Sequence, residues 1–127
     1  MISDMGTFRT TILLENAERR DDTRTVENAL VHTGSEYTWM PRDVLEALRI
    51  RPERTQRFIV ADGRTFERPL GFAIVHAAGT NAPDLVVFAE PGDLVILGAH
   101  SLEGMNLRVD TLRKQLVPAG PVLAGAA

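Results

Sequence analysis

No cysteine occurs in the 127 residues of this chain, which excludes disulfides, thiolate nucleophiles and cysteine-ligated zinc and leaves packing to hold the fold together. An excess of either charge is also missing. Arg51, Arg54, Arg57 and Arg64 are interleaved with Glu and Asp, the net charge is -3, and without a basic stripe nucleic acid is not an expected partner. No apolar run nears the roughly twenty residues needed to cross a bilayer. Met1 to Arg9 lacks the basic-then-apolar order of a secretory signal, so a cytoplasmic protein without a membrane partner is expected. Met5-Gly6-Thr7-Phe8-Arg9-Thr10 fits the loose myristoylation pattern only if translation began at Met5. Aromatic residues are few: Trp39 is the single tryptophan and Tyr37 the single tyrosine, and both more often pack a sheet wall than line a pocket, although Trp39 is close enough in sequence to residues 32–35 to touch a ligand if a groove forms there. The length suits one domain that buries roughly two thirds of its unfolded surface.

What is present reads as a succession of short strands. From Gly6 to Leu14, Phe8, Thr10, Ile12 and Leu14 alternate as on a half-buried strand. Asn16 to Arg24 is charged and reads as a surface loop, and Thr25 to Val31 as a second strand. Tyr37 to Met40 follows as a short aromatic strand, and Pro41 opens a helix whose apolar face is Val44, Leu45 and Leu48. Thr55 to Ala61 and Arg64 to Ile74 form a hairpin through a two-residue Asp62-Gly63 turn. A turn at Gly79 to Pro83, a strand at Asp84 to Ala89 and a break at Glu90-Pro91-Gly92 come next. Leu94 to Leu97 reads as a strand buried on both faces, with Gly98 at a point of close backbone contact. A helix near Ser101 to Met105 and strands at Leu107 to Asp110 and Leu112 to Leu116 complete the domain, 1–118, ahead of a small, apolar, loose tail at 119–127.

One segment carries chemistry. The apolar run Ala29-Leu30-Val31 ends in His32-Thr33-Gly34-Ser35, the frame of an aspartic peptidase active-site loop in which histidine stands at the position of the aspartate. Further markers follow in order: Gly6-Thr7-Phe8 at the start, the Pro41 helix, Ala61-Asp62-Gly63, Ile96-Leu97-Gly98 before Leu102-Glu103, and Leu107-Arg108-Val109-Asp110. Together they span Gly6 to Pro118, and the chain resembles a single-domain, retropepsin-like aspartic peptidase of the bacterial type. The resemblance implies a mainly β fold, a closed barrel with one or two short helices and one lobe per chain. Because the chain has one such loop, it further implies a symmetric homodimer with a site shared across the twofold axis and an extended peptide as ligand. Thr33 would bond across that axis, Gly34 would let the loops approach, and Ser35 would support the side chain at 32. Ala61, Asp62 and Gly63 would form the flap over substrate, while Ile96, Leu97 and Gly98 would pack beneath the loop. No metal or other cofactor is implied.

Residue 32 decides the activity. Aspartic peptidases hold two carboxylates about 3 Å apart, where one proton is shared, so one group takes a proton from water while the other donates to the scissile carbonyl. Paired imidazoles hold their protons differently and repel when both are charged, so the chain is expected to be an inactive homologue that keeps its peptide groove. Two other readings stay open at this point. One is a hydrolase in which His32 acts as a base or, with its twofold mate, holds a metal ion, although His76 and His100 have no spacing that ties them to it. The other is a structural homodimer that shares only the fold. His100, at the start of the late helix, is expected near solvent.

Overall fold

Alternating apolar residues place Ile12 and Leu14 in the core of the first strand, and from there the chain builds a mainly β domain with two short helices. The structure is a computed structural model that describes residues 7–125, so Gly6 of the opening marker and the Met5-Gly6 pattern lie outside the described residues. The elements are β1 (Phe8–Asn16), β2 (Arg19–Val31), β3 (Thr38–Pro41), α1 (Arg42–Ala47), β4 (Pro52–Ile59), β5 (Thr65–Ala77), β6 (Thr80–Ala89), β7 (Ile96–Leu97), α2 (Ala99–Gly104), β8 (Leu107–Asp110) and β9 (Gln115–Pro118). Seven strands pair in the order β1-β2-β7-β3-β6-β5-β4, β1 pairs additionally with β5, and β8 and β9 form a separate ribbon. Leu45 and Leu48 at the first helix and Leu102 and Met105 at the second meet Ile12, Met40, Val75, Phe88 and Leu97 in one core. No helix among the described residues is long and apolar enough to cross a membrane.

Several boundaries differ from the sequence reading. The charged stretch from Asn16 to Arg24 is a hairpin and not a loop. The Asn16 side chain accepts the Glu18 and Arg19 amides at 2.8 and 3.1 Å and donates to the Leu48 carbonyl at 2.7 Å, which turns the chain while β1 satisfies the β2 backbone. The charges point outward, and β2 meets β7 only at Leu30 and Val31, leaving its outer edge bare from Arg19 to Glu27 among the described residues. The turn expected at Gly79 to Pro83 is the two-residue Ala78-Gly79, with φ of 50° and 81°, the primed geometry that suits strand twist. Pro83 therefore lies within β6, where β5 flanks it and β3 has not yet begun.

The hairpin between β4 and β5 closes through three residues. Val60 and Gly63 bond as in a β-turn at 2.9 Å, the Val60 amide returns to the Arg64 carbonyl at 2.9 Å, and Gly63 alone of Asp62 and Gly63 is left-handed, with φ of 91°. This is the bulged three-residue loop rather than the expected two-residue turn. Leu94 is 48% exposed and precedes β7, so the strand buried on both faces is only Ile96–Leu97. Leu112 lies in the turn between β8 and β9 and is 94% exposed, because Asp110 Oδ1 caps the Leu112 and Arg113 amides and Lys114 is left-handed. After Pro118 no regular structure follows among the described residues, though Ala119 and Gly120 are tied to Asn106.

Among the described residues three carboxylates are held below the usual carboxylate range: Glu15 by hydrogen bonds from Arg20 and then His76, Asp22 by Arg49, and Asp93 by Arg68, each against an opposing desolvation. A carboxylate lowered on folding contributes its full stabilisation above its unfolded pKa, about 4, and loses it as pH falls through that range toward the folded value. Thermal melting should therefore be flat from neutrality to about pH 5 and fall below it, with a shallower fall in Asp93→Asn. A melting temperature unchanged down to about pH 3 would contradict this assignment.

Candidate functional site

The tetrapeptide loop is built by its neighbours. Leu30 and Val31 lie parallel to Ile96 and Leu97, and the His32 amide extends that ladder to the Leu97 carbonyl at 3.1 Å. The Ser35 amide then bonds back to the His32 carbonyl at 3.1 Å, and the Ala99 and His100 amides bond to the Ser35 and Glu36 carbonyls at 2.8 and 3.0 Å. Gly98 makes this possible. A Cβ there would stand 2.2 Å from the Tyr37 carbonyl oxygen and 2.8 Å from that of Ser35, so only glycine admits such an approach.

Behind the loop runs a buried relay whose direction follows from donor counting. The Gly98 amide donates to Thr38 Oγ1 at 3.0 Å, and Ser101 Oγ donates to the Asp84 carboxylate at 2.7 Å. Ser101 has a single hydroxyl proton, so in the 2.6 Å contact between Thr38 and Ser101 it is Thr38 that donates. Both hydroxyl residues are fully buried.

In front of the loop lies a cleft of about 700 Å³. His32, Gly34, Ser35 and Ile96 reach it from the loop side, and Phe58, Ile59, Val60 and Phe66 from the β4–β5 hairpin. His32 is half-buried, and its ring lies over Gly34, where an added Cβ would meet the ring's Cε1 at 2.9 Å. Thr33 is exposed. The Ser35 hydroxyl bonds to the Tyr37 carbonyl at 2.8 Å instead of to residue 32. Leu97 is buried behind the cleft beside Gly98. Ala61, Asp62 and Gly63 sit exposed at the hairpin tip, with Asp62 paired to Arg64 at 2.7 Å, and do not line the cleft; the strands below the tip do.

Tyr37 and Trp39 line the cleft too, whereas the sequence favoured a sheet-packing role for both and allowed a place beside the groove only for Trp39, which follows the loop closely. Thr38 and Met40 alternate with them and take the buried face, which turns the two aromatic rings outward. Phe58 and Phe66 are direct partners in the hairpin register, and their rings stack at 5.8 Å. Trp39 lies 4.8 Å from Phe58 and 6.3 Å from Phe66, and Tyr37 meets Phe58 edge-on at 5.9 Å while Arg54 donates to its hydroxyl at 3.2 Å. The period of two in each segment marks which side chains share a face, but not that the two faces meet. The charged groups on the lining are Glu36 and Arg57.

The remaining histidines stand apart. His100 is exposed, as expected, with its ring 5.6 Å from Tyr37. His76 bonds to Glu15 at 2.7 Å at the end of β1 away from Phe8, the residue that pairs with Val31 beside the loop. Among the described residues, no group of three His, Asp or Glu side chains stands where it would hold a metal ion. No protein-family profile matches the chain, and no characterised protein matches it significantly.

Thr38→Val keeps the shape at residue 38 but leaves the Gly98 amide and the Ser101 oxygen without their partner, an expected loss of about 1–3 kcal/mol in denaturant unfolding. A loss below about 0.5 kcal/mol would mean that the relay does not hold the loop.

Proposed function

We propose that this protein is a retropepsin-like aspartic peptidase homologue, a homodimer that binds extended peptides and does not cleave them because His32 stands at the position of the catalytic aspartate. The observation that carries this reading is the meeting of three parts at one place. The His32-Thr33-Gly34-Ser35 loop closes the end of β2 directly beside its parallel neighbour Ile96-Leu97-Gly98, and the β4–β5 hairpin faces it across an aromatic cleft. The pairing of β1 with both β2 and β5 supports the closed barrel that goes with this family, since the order β1-β2-β7-β3-β6-β5 then returns to β1.

The cleft suits a chain of alternating side chains. Its walls offer rings and aliphatic groups for apolar residues, and Glu36 and Arg57 offer charge at the rim. His32 lacks the features of an activated base: among the described residues no carboxylate or carbonyl orients its ring, which rests on Gly34. Each chain supplies one loop, so the complete groove needs a second copy, with Thr33 exposed where the twofold axis of such a dimer would lie.

Purified chain and His32→Asp, incubated with a mixed peptide library from acidic to neutral pH and read by mass spectrometry, test this directly. Cleavage by the aspartate variant alone is the expected result, with a gain of at least about a hundredfold over the histidine form. Cleavage by the histidine form defeats the proposal, and sensitivity to a chelator would then separate metal from imidazole chemistry. Absence of cleavage by both, together with a monomer in sedimentation, removes the groove itself.

A further inference from the structure

Two walls of the cleft come from parts of the chain that are not adjacent in sequence, and one side chain outside the cleft joins them. Phe66 belongs to β5, while Leu94 follows the turn between β6 and β7; both line the cleft. Arg68, two residues along β5 from Phe66 and on the same face, grips Asp93 with two parallel bonds, Nε to Oδ2 at 2.7 Å and a terminal nitrogen to Oδ1 at 3.0 Å. The pair is mostly sheltered, 20% and 19% exposed, which distinguishes it from open pairs such as Arg64–Asp62 at 80% and 57%. Fork-on-fork bonding away from water is the geometry in which an ion pair holds a position instead of fluctuating.

Each partner has a second contact. The Arg68 guanidinium lies over the Phe66 ring, 4.7 Å from its centroid. Asp93 Oδ2 also accepts the Glu90 amide at 2.8 Å, and the Asp93 amide bonds to the Glu90 carbonyl at 2.9 Å, so the carboxylate both closes the turn and is fixed by it. Leu94 enters the cleft from the next position. We propose that Arg68 is a positioning residue that sets the distance between the hairpin and the Leu94 turn, and with it the width of the cleft and the size of peptide side chain admitted. The effect on ligands rests on the peptide-groove reading above, whereas the effect on the walls does not.

Trp39, the only tryptophan, packs against Phe58 and Phe66 and so reports on these walls without any ligand. Acrylamide quenching of Trp39 is measured together with thermal melting in the unaltered chain, Arg68→Met, Arg68→Lys, Asp93→Asn and the Arg68→Met/Asp93→Asn double variant. Arg68→Met and Asp93→Asn should each raise the quenching constant about twofold, and the double variant no further, because the two groups act as one unit. Arg68→Lys keeps the charge but loses the fork and the flat stack, and should fall between. Unchanged quenching in folded variants, even with a lower melting temperature, gives the pair a purely structural role and overturns the proposal. So does a double variant whose effect is the sum of the singles. If Arg68→Met fails to fold, Arg68→Lys and Asp93→Asn carry the same test.

Calorimetric titration with a peptide carrying a hydroxyethylene in place of one amide separates the two layers. Binding that Arg68→Met weakens about tenfold supports both. Quenching that shifts as expected, in a chain that binds no such peptide, keeps the positioning role and removes the groove.

Discussion

The approach of Gly98 to the Tyr37 carbonyl is the constraint on which the loop region depends, because it brings the start of α2 against the segment that follows His32. At that distance no side chain fits, and the amide of Gly98 has to find its acceptor inside the protein. It finds Thr38, and through Thr38 and Ser101 the demand passes to the carboxylate of Asp84 on β6. A buried hydroxyl with one proton to give can serve only one acceptor, so the chain of donors has one direction and ends where a charge can receive it. Among the described residues every buried side-chain nitrogen and oxygen has a partner, which is the condition under which a polar network can specify a single arrangement.

Strand identity was legible in the sequence over several segments with a buried face, but not at Val75 to Ala77 or Thr80 to Pro83, where β5 and β6 run further toward their turn than the pattern suggested. Phe8 to Leu14, the long segment before Ile74 and the paired apolar residues Ile96 and Leu97 follow from periodicity and from glycine at a tight contact. Turns were legible only where glycine announces them. Asn28, Arg49, Ala78, Asn106 and Lys114 all adopt left-handed backbone without being glycine, and the misplaced ends at Ala78 and Lys114 trace to that. Asn16 hid a hairpin because its side chain does what a turn dipeptide would ordinarily do, among charges that read as a loop.

The candidate site divides in the same way. The loop at His32 and its support at Ile96, Leu97 and Gly98 are contiguous motifs, and the structure brings them together. The aromatic wall is not contiguous: Trp39 meets Phe58 and Phe66 only after a helix and a hairpin have intervened, and no local spacing encodes that meeting. The hairpin tip drew attention because Asp62 and Gly63 form a strong turn signal, yet the groups that reach the cleft, Phe58, Ile59, Val60 and Phe66, flank the tip instead of forming it.

The long outer edge of β2 bears on the behaviour of the protein in concentrated solution. From Arg19 to Glu27 the strand has no strand partner on its outer side among the described residues, and an open edge of that kind is a template that recruits strands from other chains. Arg19, Arg20, Asp21, Asp22 and Arg24 place charge of both signs along that row, and a strand that paired there would have to accommodate these charged groups. The charged stretch that reads as a loop in the sequence thus lies on an open sheet edge, where charged side chains are one of the means by which edge-to-edge pairing is discouraged.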